Sequence, residues 1–175
     1  MDESTAAQWQ TIVVETMEQQ PRVAESVLAM LASLERITDN FAVDQLVHSL
    51  QTATRAEEAG ASDEVVVASL CHDIGKAVSV MNHPRIAAEI LRPYVGEDTY
   101  RMIDAHQDFQ GRHYYEFIGL DPNARDQHKG ASWYGLAEQF ADDWDQISFD
   151  PDYPTKPLAH FEPMVREVFG SFTSL

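Results

Sequence analysis

Apolar residues recur along this chain at the three- and four-residue spacing of amphipathic helices, and no segment alternates with the two-residue period of a strand. Trp9, Ile12, Val13 and Met17 mark a first helix. After Pro21 a second stripe runs through Val23, Val27, Met30, Leu31, Leu34 and Ile37. A third runs through Val43, Leu46, Val47, Leu50 and Ala53 and closes at Gly60. The stretch from Val65 to Cys71 is apolar almost all round, the pattern of a helix enclosed on every side. Ser62 is placed to cap its start, Asp63 and Glu64 suit the positive end of its dipole, and Gly75 reads as its C-terminal stop. His83-Pro84 opens a further helix, with Pro at a favourable first-turn position and Ile86, Ile90 and Leu91 behind it. Tyr100, Ile103 and His106 suggest a short one. Trp133, Leu136, Ala137, Phe140, Trp144 and Ile147 form the cleanest stripe of all. A proline-broken loop from Asp150 to Pro157 precedes a last helix through Phe161, Val165 and Val168. The pattern predicts an all-α fold, and with no repeat or linker dividing the 175 residues, one domain over 1–175 is expected.

Composition narrows the function. Lys+Arg 12 against Asp+Glu 29 gives a net charge of −17, which argues against nucleic acid and anionic membranes as partners. An anionic substrate would need a locally positive pocket inside a repelling field. Cys71 is alone and forms no internal disulfide. The polar, acidic start MDESTAAQWQ lacks the features of a secretion signal, and no apolar run approaches the ~20 residues needed to cross a bilayer. A cytoplasmic location is the expectation.

Chemistry enters where polar residues interrupt the apolar helix. In the run SLCHDIGK, His72 and Asp73 sit side by side in a segment that should be buried. Burying both costs several kcal/mol unless something pairs with them, and a metal ion does so well. His48 lies off its apolar stripe, on a polar strip with Asp44, Gln51 and Arg55 that faces either solvent or an internal polar cavity. His83, His106 and the acidic run Asp142-Asp143-Trp144-Asp145 follow. The order His, His-Asp, His, His, Asp suits a two-metal site, where one carboxylate can lie between two ions. On the helical wheel Asp143 flanks the apolar stripe more closely than Asp145 does. Cys71 reads as a small core residue beneath these groups, and His128 and His160 as structural or solvated.

The pattern His48, His72-Asp73, Asp145 with HDIGK resembles the HD-domain superfamily of all-α metalloproteins. Within it, His48-Ser-Leu-Gln51-Thr-Ala53, the extra pair His83 and His106, and Trp144-Asp145 resemble the mixed-valent diiron oxygenases. Those include myo-inositol oxygenase and the 2-amino-1-hydroxyethylphosphonate dioxygenase of phosphonate breakdown. The similarity covers about residues 41–147.

The resemblance implies that His48, His72, Asp73 and Asp145 hold one iron, and that Asp73 bridges to a second held by His83 and His106. It implies catalytic or substrate-contacting roles for Lys76 and His113, and it selects Asp145 over Asp143. The implied cofactor is an iron(II)/iron(III) pair, with manganese, magnesium or zinc as alternatives because such ligands accept them all. The implied partners are O2 and a small polar molecule that binds the metals through a hydroxyl, a hydroxyphosphonate being one candidate. The chain departs from the phosphonate enzyme in having HDIGK where that enzyme has HDLGH. The competing expectation is a metal-dependent phosphohydrolase, in which the same ligands activate water against a nucleotide or phosphate ester.

Overall fold

A computed structural model describes residues 1–171. Among them every regular element is helical, in the order α1 (Ala6–Glu18), α2 (Arg22–Ser33), α3 (Gln45–Glu58), α4 (Asp63–Cys71), α5 (His83–Leu91), α6 (Glu97–Asp104), α7 (His106–Gln110), α8 (Tyr134–Gln139) and α9 (Leu158–Gly170). Short 3-10 turns join several of them, and a π-helical segment, Phe140–Asp145, continues α8. No helix is long and apolar enough to cross a membrane.

Helix α4 is the axis of the fold. Every residue from Val65 to Cys71 is buried, because α3, α6 and α9 pack around it. Ser69, the one polar residue there, returns its hydroxyl to the Val65 carbonyl at 2.8 Å, so the interior holds no orphaned donor at that point. Leu31 and Leu34 from the second helix region, Met102 and Ile103 from α6, and Phe161 and Val165 from α9 complete the core without exposure.

Helix α3 begins at Asp44, whose carboxylate accepts from the Val47 amide at 2.9 Å. Its polar strip faces inward. Gln51 exchanges two hydrogen bonds with the backbone of Asp150, at 2.6 and 3.2 Å, and Arg55 reaches the Ile147 carbonyl at 3.3 Å while lying over the Tyr153 ring. The strip thus docks the chain that follows the π segment, which is why polar residues sit inside.

Three sequence expectations change. The apolar stripe of α1 exists, but Trp9, Ile12, Val13 and Met17 are all exposed, since no other part of the described chain covers them. Ser62 precedes α4 without a side-chain cap bond. Gly75 lies in a 3-10 turn, Ile74–Ala77, not at a left-handed helix stop; a Cβ there would collide with the His83 backbone. Its role is close approach: it lets the start of α5 press against the turn after Asp73.

Candidate metal centre

Each element ends where it must to aim a ligand inward. His48 sits one turn into α3, and His72 and Asp73 follow the last residue of α4. His83 and His106 are the first residues of α5 and α7, and Asp145 is the last of the π segment. All six are buried. Their ligating atoms form two triads, His48–His72–Asp145 and Asp73–His83–His106, each within 4.8 Å. Asp73 belongs to both neighbourhoods. Its Oδ1 lies 3.0 Å from His83 Nε2 and 3.8 Å from His106 Nε2, and its Oδ2 lies 3.5 Å from His48 Nε2 and 3.4 Å from His72 Nε2.

The imidazoles are oriented from behind. The Nδ1 atoms of His72, His83 and His106 lie 2.8, 2.7 and 2.7 Å from the carbonyls of Ser69, Val80 and Ile103, each three residues back in its own segment. His48 Nδ1 lies 2.9 Å from the Ser148 carbonyl. A carbonyl only accepts, so each Nδ1 carries a proton and donates, and each ring turns its Nε2 to the centre, free to offer a lone pair when the ring is neutral. His48 Nε2 and His72 Nε2 then face each other at 3.0 Å, a separation with room for at most one proton. Both oxygens of Asp145 are buried without a hydrogen-bond donor, although His48 Nε2 is only 3.1 Å away. Four imidazole nitrogens converging with Asp73 and with the donor-free carboxylate of Asp145 make a set that fits bound cations: imidazole nitrogen and carboxylate oxygen suit divalent transition metals.

The π segment decides which aspartate joins. A strict α-helix through Phe140 would have favoured Asp143; the wider π turn leaves Asp143 exposed and carries Asp145 into the fully buried triad. Beyond it, Phe149 stacks on His48 with ring centroids 4.0 Å apart, and Phe41 stacks on Phe149 at 4.2 Å.

Electrostatics follow from this crowding. Burial works to lower the His72 pKa, but the carboxylates of Asp73 and Asp145 more than offset it and the net is a rise to about 10. Burial, together with the positive charge on His72, pushes His106 down to about 3. Burial opposes ionisation of Asp73 and Asp145 as well, yet the surrounding imidazoles hold both well below the ordinary carboxylate range. Without a metal, one proton on His72 is therefore the cation that the two carboxylates share. Cys71, buried beneath, is raised to about 12 by desolvation and stays a thiol.

The outer triad opens onto a cavity of about 430 Å³, a size usual for small-molecule sites. Lys76 and His113 stand on its wall. Lys76 Nζ lies 2.8 Å from Asp73 Oδ2 and 3.0 Å from Gln45 Oε1, with Asp39 at 3.8 Å. His113 Nε2 lies 2.9 Å from Asp142 Oδ1, and Arg125 clamps both oxygens of Asp142 from the far side at 3.1 and 3.0 Å. Burial raises the Asp142 pKa, but His113 and Arg125 bring it below the usual value. His128 pairs with Asp108 and His160 with Glu57, both away from the centre.

Sequence reading missed the rest of the wall, Phe41, Gln107, Gln110, Gln146 and Phe149 among it. Only the helical spacing of Gln107 and Gln110, three apart and beside His106, offered a signal. Asp142, from the same acidic run as Asp145, anchors His113.

No curated protein matches the chain. Residues 46–150, more than half of the chain and running from the start of α3 through the π segment, match the model of the HD domain, and the protein belongs to that family.

Proposed function

We propose that this protein is a diiron oxygenase that uses O2 to oxidise or cleave a small, hydroxyl-bearing polar molecule. The observation that carries the reading is the position of the Asp73 carboxylate, with one oxygen toward each triad. His48, His72 and Asp145 would hold the inner iron, His83 and His106 the outer, and Asp73 both. The iron pair, when bound, supplies the activation of O2.

This chain's residues do the remainder. The four backbone carbonyls fix the imidazoles so that ligand geometry costs little to assemble. Lys76 holds Oδ2 of Asp73 and, after His72 and His83, helps keep that carboxylate ionised against its burial. Phe149, stacked on His48 and backed by Phe41, covers the His48 ring on the cavity side. His113, its Nε2 tied to Asp142, keeps Nδ1 available on the cavity wall to accept or return a substrate proton. In the phosphohydrolase alternative the bound metals alone would neutralise the phosphoryl group, since Lys76, the cavity's lysine, is already committed to Asp73.

Electron paramagnetic resonance tests this on protein from iron-supplemented cells, quantified for metal and partly reduced with ascorbate. A spin-coupled iron(II)/iron(III) signal and two irons per chain are expected. Manganese, magnesium or zinc bound instead, with phosphate-ester hydrolysis, would overturn it.

A further inference from the structure

The cavity beside the outer triad has a chemical character that narrows its ligand. Among the described residues lining it, Lys76 is the one lysine or arginine, and it sits against Asp73, Gln45 and Asp39. His113 faces Asp142, which Arg125 already neutralises from outside the cavity. The rest of the wall is built from three amides, the rings of Tyr114 and Phe149, and an apolar rim. Gln107 and Gln110 line it without a hydrogen bond from either side-chain amide to another residue, and Gln146 joins them. Phe41, Val80 and Met81, which are 52%, 54% and 91% exposed, form the rim.

Each amide both donates and accepts, as a hydroxyl does, whereas a phosphoryl oxygen only accepts and brings a charge. A phosphate or phosphonate held there would lie in a protein of net charge −17, near Asp39, with no unshared cation on the wall. Large exposed apolar side chains at a cavity mouth, in turn, are covered most favourably by an apolar group.

Resting on the oxygenase reading, we infer that the part of the substrate remote from the metals is uncharged. It carries hydroxyl or amide groups toward Gln107, Gln110 and Gln146 and an apolar end toward Phe41, Val80 and Met81. A hydroxyphosphonate does not fit this wall.

Calorimetric titration of the iron-loaded protein separates the possibilities with four probes: propane-1,2-diol, octane-1,2-diol, glycerol and glycerol 3-phosphate. The octane diol is expected to bind more tightly than the propane diol by about two- to fourfold per added methylene, an increment that Phe41→Ala reduces. Glycerol is expected to equal or exceed glycerol 3-phosphate, and Gln110→Lys to reverse that order by roughly tenfold with an unchanged melting temperature. A wild-type preference for the phosphate, or no neutral probe binding better than about 10 mM, overturns the inference. Neutral probes that bind while the mixed-valent signal is missing would instead leave the substrate class standing and remove the oxygenase reading.

Discussion

The two triads meet the outside of the protein differently. His48, His72 and Asp145 have no exposure at all, and aromatic rings and the docked segment after the π turn close over them. Asp73, His83 and His106 are nearly as buried, yet His83 borders the cavity. An ion in the inner position would have the protein on every side; one in the outer position would be within reach of a substrate. The shared carboxylate is what makes two such unlike positions one centre.

Removing that carboxylate should erase the distinction. Asp73→Ala is expected to lose both ions and about 3–5 kcal/mol of stability, because buried imidazoles and Lys76 lose their counter-charge. Metal analysis with thermal unfolding checks this; two ions retained per chain would show that Asp73 joins neither position. Next in size are the variants that empty one side only. Asp145→Ala should leave one ion per chain, at the outer position, and His83→Ala one ion at the inner, while Asp143→Ala keeps two and shifts stability by less than about 0.5 kcal/mol. Loss of both ions from either single variant would mean that the triads do not fill independently.

A smaller effect is expected behind the ligands. Lys76→Met should weaken metal binding by a factor of roughly 10–100, read by competition with a chelator, since Lys76 touches Asp73 and no other carboxylate of the two triads. The smallest is a pH slope. His72, raised to about 10 in the metal-free protein, carries a proton at neutral pH that a metal must expel. Affinity at the inner position should therefore rise about tenfold per pH unit toward pH 10. The same rise stabilises the metal-free fold fully below pH 6.5 and is lost as pH climbs through 10. The gap in melting temperature between loaded and metal-free protein should accordingly widen on the alkaline side. A gap that narrows there would show that the proton is not where the carboxylates hold it.

Much of the fold was legible because periodicity reports directly on burial. The all-round apolar run of Val65 to Cys71 could only be a central helix, and it is. Periodicity also misleads in two instructive places. In α1 it shows that one face is apolar, but it cannot say whether the same chain covers that face. Between Phe140 and Asp145 a 3.6-residue wheel is the wrong ruler, since the turn there is wider, and only the resemblance of Trp144-Asp145 pointed to the inward aspartate. The six residues at the two triads share local signals: polar groups in buried helices and histidines at helix starts. Apart from His83 the cavity wall shares none, because it is assembled from residues around 39–41, 76–83, 107–114 and 146–149, whose meeting is a property of the fold alone.

The four anchoring carbonyls also set an order in time. Three imidazoles lean on backbone three residues away and are oriented as soon as their own turns form. His48 leans on Ser148, one hundred residues along the chain, and its partner Asp145 lies in the same late segment. Long loops close slowly. The outer half of the centre can therefore form first, and the inner half last, when the segment beyond residue 140 docks onto α3. That docking would work as a latch: an ion captured before it closed would be retained until the same segment lifted, so exchange at the inner position should keep pace with local unfolding, not with diffusion.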